Sequence, residues 1–553
     1  MAGGLSMKRK LGAVLLLGLA LGPRAGSLRA QAPPAASREP VPLPPQEDAR
    51  IAELVKQQCT KCHVQPPPEY VPRGMWRFRI QEMAERSMTG TGVPPGEESL
   101  LWQQDLDKIT QYFESHSPKL LPLPPLWPDD DGGLRFVRHA LSPPGNPPLP
   151  VVSNVRFFDL DGDGRPEIVA CDMGRGSVFI GDPRHPEAGL RQIAVLNNPA
   201  HAEMVDLDKD GRQDLLIADL GEYLPSDHEK GSIVWLRQTG PLQFEKHPLI
   251  EHIPRNADVQ AADFDGDGDL DLVVASYGFR KVGGTFYYEN QTTDWNNPKF
   301  VEYTIDARPG PIHVPIADLN GDGRPDFVAL VAQQYEHVVA YFNRGPGRGF
   351  RAETIFRAVT PVWGSSGIQL VDLDKDGKLD VLMTNGDTLD DFTIRPFHGI
   401  RWLQNPGSFP FVQHDLAAMP GVHRAQAADL DGDGDLDIVA CAFLPSSQNP
   451  QFQNLERQGS LADLTSLGWL EQTSPGQFRL HSLEKGRLTH VTLDVGDYDG
   501  DGDLDLLVGH FAGFTFAKAD TGYKSDAWVE LWENQAKHPS SPAPKATGPP
   551  PTR

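Results

Sequence analysis

The sequence predicts a mainly-β fold, a closed ring of seven β-sheet blades preceded by a small all-α domain. Three observations predict it: an acidic loop that recurs seven times, an apolar/polar alternation before the loops, and a β-type run upstream of the first repeat. The loops begin at Asp159, Asp206, Asp263, Asp318, Asp372, Asp429 and Asp497, at intervals of 47 to 68 residues. Repeats of that period flanked by short β-type runs form radial or stacked arrays.

Each loop offers side-chain oxygens at positions 1, 3, 5 and 9. The sets are Asp159, Asp161, Asp163 and Glu167; Asp206, Asp208, Asp210 and Asp214; Asp263, Asp265, Asp267 and Asp271; and Asp318, Asn320, Asp322 and Asp326. The remaining three are Asp372, Asp374, Asp376 and Asp380; Asp429, Asp431, Asp433 and Asp437; and Asp497, Asp499, Asp501 and Asp505. A hard cation such as Ca²⁺ takes this spacing, with a backbone carbonyl at position 7 completing the cage, so up to seven Ca²⁺ ions are expected. An EF-hand is excluded. Its glutamate at position 12 is replaced by Ala170, Ile217, Val274, Ala329, Met383, Ala440 and Val508, and an apolar strand follows where a helix would be needed.

Counting back from the first aspartate, positions −4 and −2 are apolar throughout, from Val155 and Phe157 to Leu493 and Val495. Positions −5 (Asn154, His201, Asp258, His313, Gly367, Arg424, Thr492) and −3 (Arg156, Glu203, Gln260, Pro315, Gln369, Gln426, Asp494) are mostly polar. This period-two pattern marks a strand with one dry and one wet face, expected to line the axis. An aromatic strand follows in most repeats, and then a Phe-x-x-His-x-Leu strand. That outer strand is missing after the seventh loop but occurs upstream as Phe136-Val-Arg-His139-Ala-Leu141. The N-terminal segment therefore closes the ring and removes its free edge. His139, His247, His414 and His481 become an outer packing column.

On these motifs the region 131–536 resembles the FG-GAP/VCBS repeats of integrin-alpha-like seven-bladed β-propellers. The resemblance implies that each Ca²⁺ loop joins the first and second strands of a blade, holding the fold together without chemistry. The net charge of −24 makes nucleic acid an unsuitable partner.

The cysteines form two unrelated pairs. Cys171 and Cys441 share a small-residue packing column in blades that are not neighbours, so no disulfide is expected. Cys59-Thr-Lys-Cys62-His63 carries the Cys-x-x-Cys-His pattern of covalent c-type haem attachment, with His63 as proximal iron ligand. Helical runs at Ile51–Gln58 and Trp102–His116 flank it, and Trp76, Ile80 and Met83 share one helical face. The stretch Pro66–Met88 resembles the small cytochrome modules joined to such propellers in bacterial exported proteins. Met83 is read as the sixth ligand, with Met88 as the alternative and then Met75.

Lys8-Arg-Lys10 before the apolar run Leu11–Leu21 reads as a secretory signal peptide. No stretch is long enough to span a membrane. The expected organisation is a signal peptide (1–30), a Pro-rich linker (31–48), a cytochrome c-like domain (49–118), a linker (119–130), the propeller (131–536) and a disordered tail (537–553).

Function is expected to be electron transfer through one covalent haem c, coupled to a calcium-stabilised propeller that binds a partner or substrate. The setting is periplasmic or secreted, and the partner a periplasmic redox protein or an extracellular ligand such as a glycan or protein. Two alternatives remain: a haem-coupled oxidoreductase, should the protein be an enzyme, with its substrate site on the propeller's top face, and a glycan- or protein-binding propeller with accessory haem. Tryptophan docking motifs are absent, so pyrroloquinoline quinone is not indicated. A top-face site is expected from His201, Asp258, His313, His423 and His490 at first-strand entries and Asp172, Asp219, Asn385 and His510 at second-strand exits. No catalytic residue is assigned.

Overall fold

A computed structural model describes residues 41–60, 64–91, 97–145, 149–389, 393–445, 460–512 and 527–535. The signal peptide, most of the linker at 31–48, Cys62, His63 and the tail lie outside them.

Seven antiparallel sheets form the propeller, and six of them pair their strands in chain order from the axis outward. Blade 1 is typical, with Val152–Phe158, Glu167–Asp172, Ser177–Gly181 and Arg191–Val195. Every second strand is buried along its whole length, as in Asp271–Ser276 and Asp437–Ala442. A strand flanked by two blades has two dry faces, so it reads as a continuous apolar run. Blade 4 departs from the pattern. Its first strand is split into Pro311–His313 and Ile316–Ala317 around Pro315, which has no N–H to give the ladder.

Blade 7 is His490–Gly496, Asp505–His510 and Val529–Asn534, completed by Phe136–Leu141. The closing strand pairs antiparallel from Phe136 with Asn534 to Leu141 with Val529. Three of the four outer histidines also pack as read, while His139 meets Glu533 at 2.8 Å. The rings of His247, His414 and His481 lie 5.2, 4.7 and 4.9 Å from those of Trp235, Trp402 and Trp469. Cys171 and Cys441 are buried and free.

The polar columns do face the axis, but they work between blades. An innermost strand is an edge strand whose inward N–H groups lack a ladder partner. Side chains of the neighbouring blade supply the acceptors: Asn154 Oδ1 for Ala202 N (3.2 Å), Asp258 Oδ2 for Val314 N (2.9 Å), Gln369 Oε1 for Ala427 N (2.7 Å) and Asp494 Oδ2 for Phe157 N (2.8 Å).

Ahead of the ring lie three helices, α1 (Pro45–Cys59), α2 (Trp76–Thr91) and α3 (Glu97–His116). α1 starts inside the segment expected to be linker. Proline is tolerated in a first turn, and Glu47 and Asp48 there complement the helix dipole. Ile51, Val55, Trp76, Ile80, Ile109 and Phe113 form one small core, with Trp76 and Phe113 stacked at 4.0 Å. The linker expected over 119–130 is not free either. Trp127 is buried among residues of blades 5 and 6 and donates from its indole to Ala418 O at 2.7 Å. Gly468 admits it, because a Cβ there would stand 2.6 Å from the indole.

Candidate functional site

In each acidic loop the first aspartate folds the turn around its own carboxylate. Asp263, for example, accepts from Gly266 N at 2.7 Å and Gly268 N at 3.1 Å. Gly266 and Gly268 have φ of 79° and 98°, the left-handed region that glycine adopts without strain. The acid at position 9 ties the loop to the third strand. Asp271 accepts from Phe264 N in the loop and from Asn290 N and the Tyr287 hydroxyl beyond it, and Asp380 does the same with Leu373 N, Asn405 N and the Trp402 indole.

These carboxylates crowd together. Acidic oxygens of Asp159, Asp161 and Glu167 lie within 4.8 Å of one another, as do those of Asp206, Asp208 and Asp210, of Asp263, Asp265 and Asp271, of Asp372, Asp374 and Asp380, and of Asp429, Asp431 and Asp437. Burial pushes the Glu167, Asp437 and Asp505 carboxyls up to about 7 and those of Asp214 and Asp271 up to about 6, with neighbouring aspartates adding to the rise. Glu167 Oε1 is buried without a hydrogen bond. Like charges gathered on buried oxygens fit a divalent cation, and the acidic clusters are compatible with Ca²⁺. Asn320 replaces one charge in the fourth loop, where Arg324 also pairs with Asp322.

The residues expected on the top face separate into three groups. The first lies on the axis. Asp258 is 2% exposed, with Oδ1 at 3.2 Å from His201 Nε2 and Oδ2 at 3.8 Å from His313 Nδ1. Burial opposes its ionisation, but the two imidazoles and the Val314 N–H hold its carboxyl well below the usual range. Burial pushes His313 down. The second group caps turns. Asp172 accepts from Val151 N and Arg175 N, and Asp219 from Asn197, Asn198 and Gly221 N. Asn385 accepts from Gly399 N and donates to Trp363 O and Phe397 O.

The third group is buried where blade 7 closes. His490 and His510 have no exposed surface, and their rings lie 4.9 Å apart. His490 Nε2 meets Glu484 Oε2 at 2.6 Å, while Arg487 reaches both Glu484 and Glu530. His423 stands apart, its ring 5.5 Å from Phe443 and its pKa pushed down to about 4 by burial. The structure therefore brings together His201, Asp258 and His313, and places the other six elsewhere. Sequence reasoning missed Glu203 and Gln260, which were visible in the −3 column. It also missed Glu484, Arg487 and Glu530, which no periodicity marks.

In the helical domain, Cys59 ends α1 half-buried against the core that Met83 of α2 also reaches. Met88 lies on the same helix. This domain rests on the ring: Glu82 pairs with Arg280 of blade 3, Val362 joins the helical core, and Tyr70 packs 4.8 Å from Phe397 of blade 5. Among the described residues, no helix is long and apolar enough to cross a membrane.

A family model described as an FG-GAP-like repeat matches residues 159–217, 206–274, 318–383 and 384–440, which take in six of the seven loops. Over 178 residues the chain is 29% identical to cartilage acidic protein 1 of Homo sapiens, covering 31% of this chain and 24% of that protein. The chain thus spans about a quarter of that relative's length. Among solved structures, selenomethionine-substituted virginiamycin B lyase from Staphylococcus aureus aligns with a TM-score of 0.42 and 10% identity, over 72% of this chain and 99% of that one.

Proposed function

We propose that this seven-bladed propeller of FG-GAP-like repeats is a calcium-stabilised binding platform on an exported protein, carrying an electron-transfer haem in its N-terminal helical domain. The observation that carries the haem reading is the sequence Cys59-Thr-Lys-Cys62-His63, whose Cys59 ends α1, with Cys59 and Met83 against one small apolar core. Cys59 and Cys62 would attach the group, and His63 with Met83 (or Met88) would hold its iron. When bound it would supply one-electron transfer at a potential raised by the thioether. The contacts of Glu82 with blade 3 and of Tyr70 with blade 5, and the packing of Val362 from the ring against the helical core, support a coupled pair of domains.

The binding reading is supported by the FG-GAP-like match, and a protein or glycan outside the cell is the ligand class it favours. The domain bounds given above, with an exported chain starting near Gln31, belong to the same proposal. Replacing Cys59 and Cys62 by alanine should abolish covalent haem staining on a denaturing gel and leave the circular dichroism of the propeller unchanged. Haem retained by the double variant through denaturation would overturn the reading.

A further inference from the structure

Between blades 2 and 3 the two polar columns bring four side chains to one point on the axis. His201 Nε2 lies 3.2 Å from Asp258 Oδ1 and 3.5 Å from Glu203 Oε2. Gln260 Nε2 lies 3.1 Å from Glu203 Oε2, 3.3 Å from Asp258 Oδ1 and 3.5 Å from His201 Nε2. These are five of the six edges of a tetrahedron, all between 3.1 and 3.5 Å. Ligands held about 2.0–2.1 Å from a tetrahedral metal ion stand about 3.4 Å apart, which is the spacing found. Charge-assisted hydrogen bonds would instead draw such atoms to about 2.7–2.9 Å.

We propose that the axis binds one divalent transition-metal ion of the Zn²⁺ class through His201 Nε2, a Glu203 oxygen, Asp258 Oδ1 and the Gln260 amide oxygen. Turning that amide by 180° exchanges its donor for an acceptor of the same size. The imidazole sets this site apart from the all-oxygen loops, because Ca²⁺ and Mg²⁺ take oxygen ligands while mixed nitrogen and oxygen sets suit Zn²⁺ and its neighbours.

Charge agrees. Among the described residues, neither Glu203 nor Asp258 has a Lys or Arg within ion-pair distance, so their two negative charges match one divalent ion. Asp258 is held in place from behind by Val314 N at 2.9 Å, with His313 3.8 Å from its other oxygen, as outer partners orient a metal ligand. No other pair of neighbouring blades carries an imidazole and two carboxylates at these four column positions.

The test uses the full chain saturated with Ca²⁺, so that the loops are filled, and Zn²⁺ alone as the probe. Equilibrium dialysis with elemental analysis should find about one Zn²⁺ per chain, and the same amount in the Cys59→Ala/Cys62→Ala variant, which separates this site from the haem motif. Glu203→Gln and His201→Gln, checked as folded by circular dichroism, should each weaken Zn²⁺ binding at least about tenfold. No bound Zn²⁺, or binding that persists unchanged in both variants, would overturn the proposal.

Discussion

Removal of Ca²⁺ by a chelator should lower the melting temperature of this protein by many degrees. Each loop gathers at least three carboxylates, and the buried acids at position 9 have pKa values raised to about 6 or 7 in five of them. Without a cation that repulsion opposes folding at neutral pH. A ligand present at a hundred times its Kd contributes about 2.7 kcal/mol per site, and several sites act on one fold. The position-9 carboxylate also joins the loop to the third strand, so a loosened loop frees that strand's end. A single Asp263→Asn change should remove only part of the effect, because six other loops remain. Thermal melts followed by circular dichroism with and without chelator decide it. Equal melting temperatures would show that the loops are not metal sites.

Glu484→Gln should destabilise the ring by about 3 kcal/mol, in the range for losing one partner of a buried ion pair. Glu484 accepts from Arg138 at 2.7 Å, from Arg487 at 2.9 Å and from His490 at 2.6 Å. Arg138 belongs to the closing strand, so this network pins the seam where the two ends of the propeller meet. Burial would raise the Glu484 carboxyl, yet His490 and the two arginines hold it down to about 2. A carboxyl lowered in the folded state stabilises fully above its ordinary value of 4.5, and that contribution is lost as pH falls toward 2. The gap in stability between the native chain and the variant should therefore be widest near neutral pH and shrink across that window. Denaturant melts over the acid range test it. A gap that does not change with pH would contradict the assignment.

Much of the fold was legible because it rests on local and periodic signals. The loop register, the dry columns at −4 and −2 and the displaced strand Phe136–Leu141 together specify the blades and their closure. What the sequence hid depends on contacts between distant segments. Nothing near Trp127 announces that it inserts between blades 5 and 6, nor that Gly468 makes room for it. Pro315 stood in the polar column without revealing that it splits its strand.

The site residues show the same division. Histidine and aspartate at strand ends looked alike in sequence, yet Asp172 and Asp219 use their oxygens on backbone N–H groups while Asp258 faces two imidazoles. Only the neighbouring blade determines which of these happens. Glu484 and Glu530 reach His490 and His510 from other strands, so no spacing could pair them.

The intact mass of the native chain, purified after export from a host able to attach haem, tests the functional account most directly. The account predicts a single species carrying the mass of one haem beyond the processed polypeptide, with that mass retained after acid and organic extraction. A chain exported and folded under those conditions but bearing the mass of polypeptide alone would contradict it.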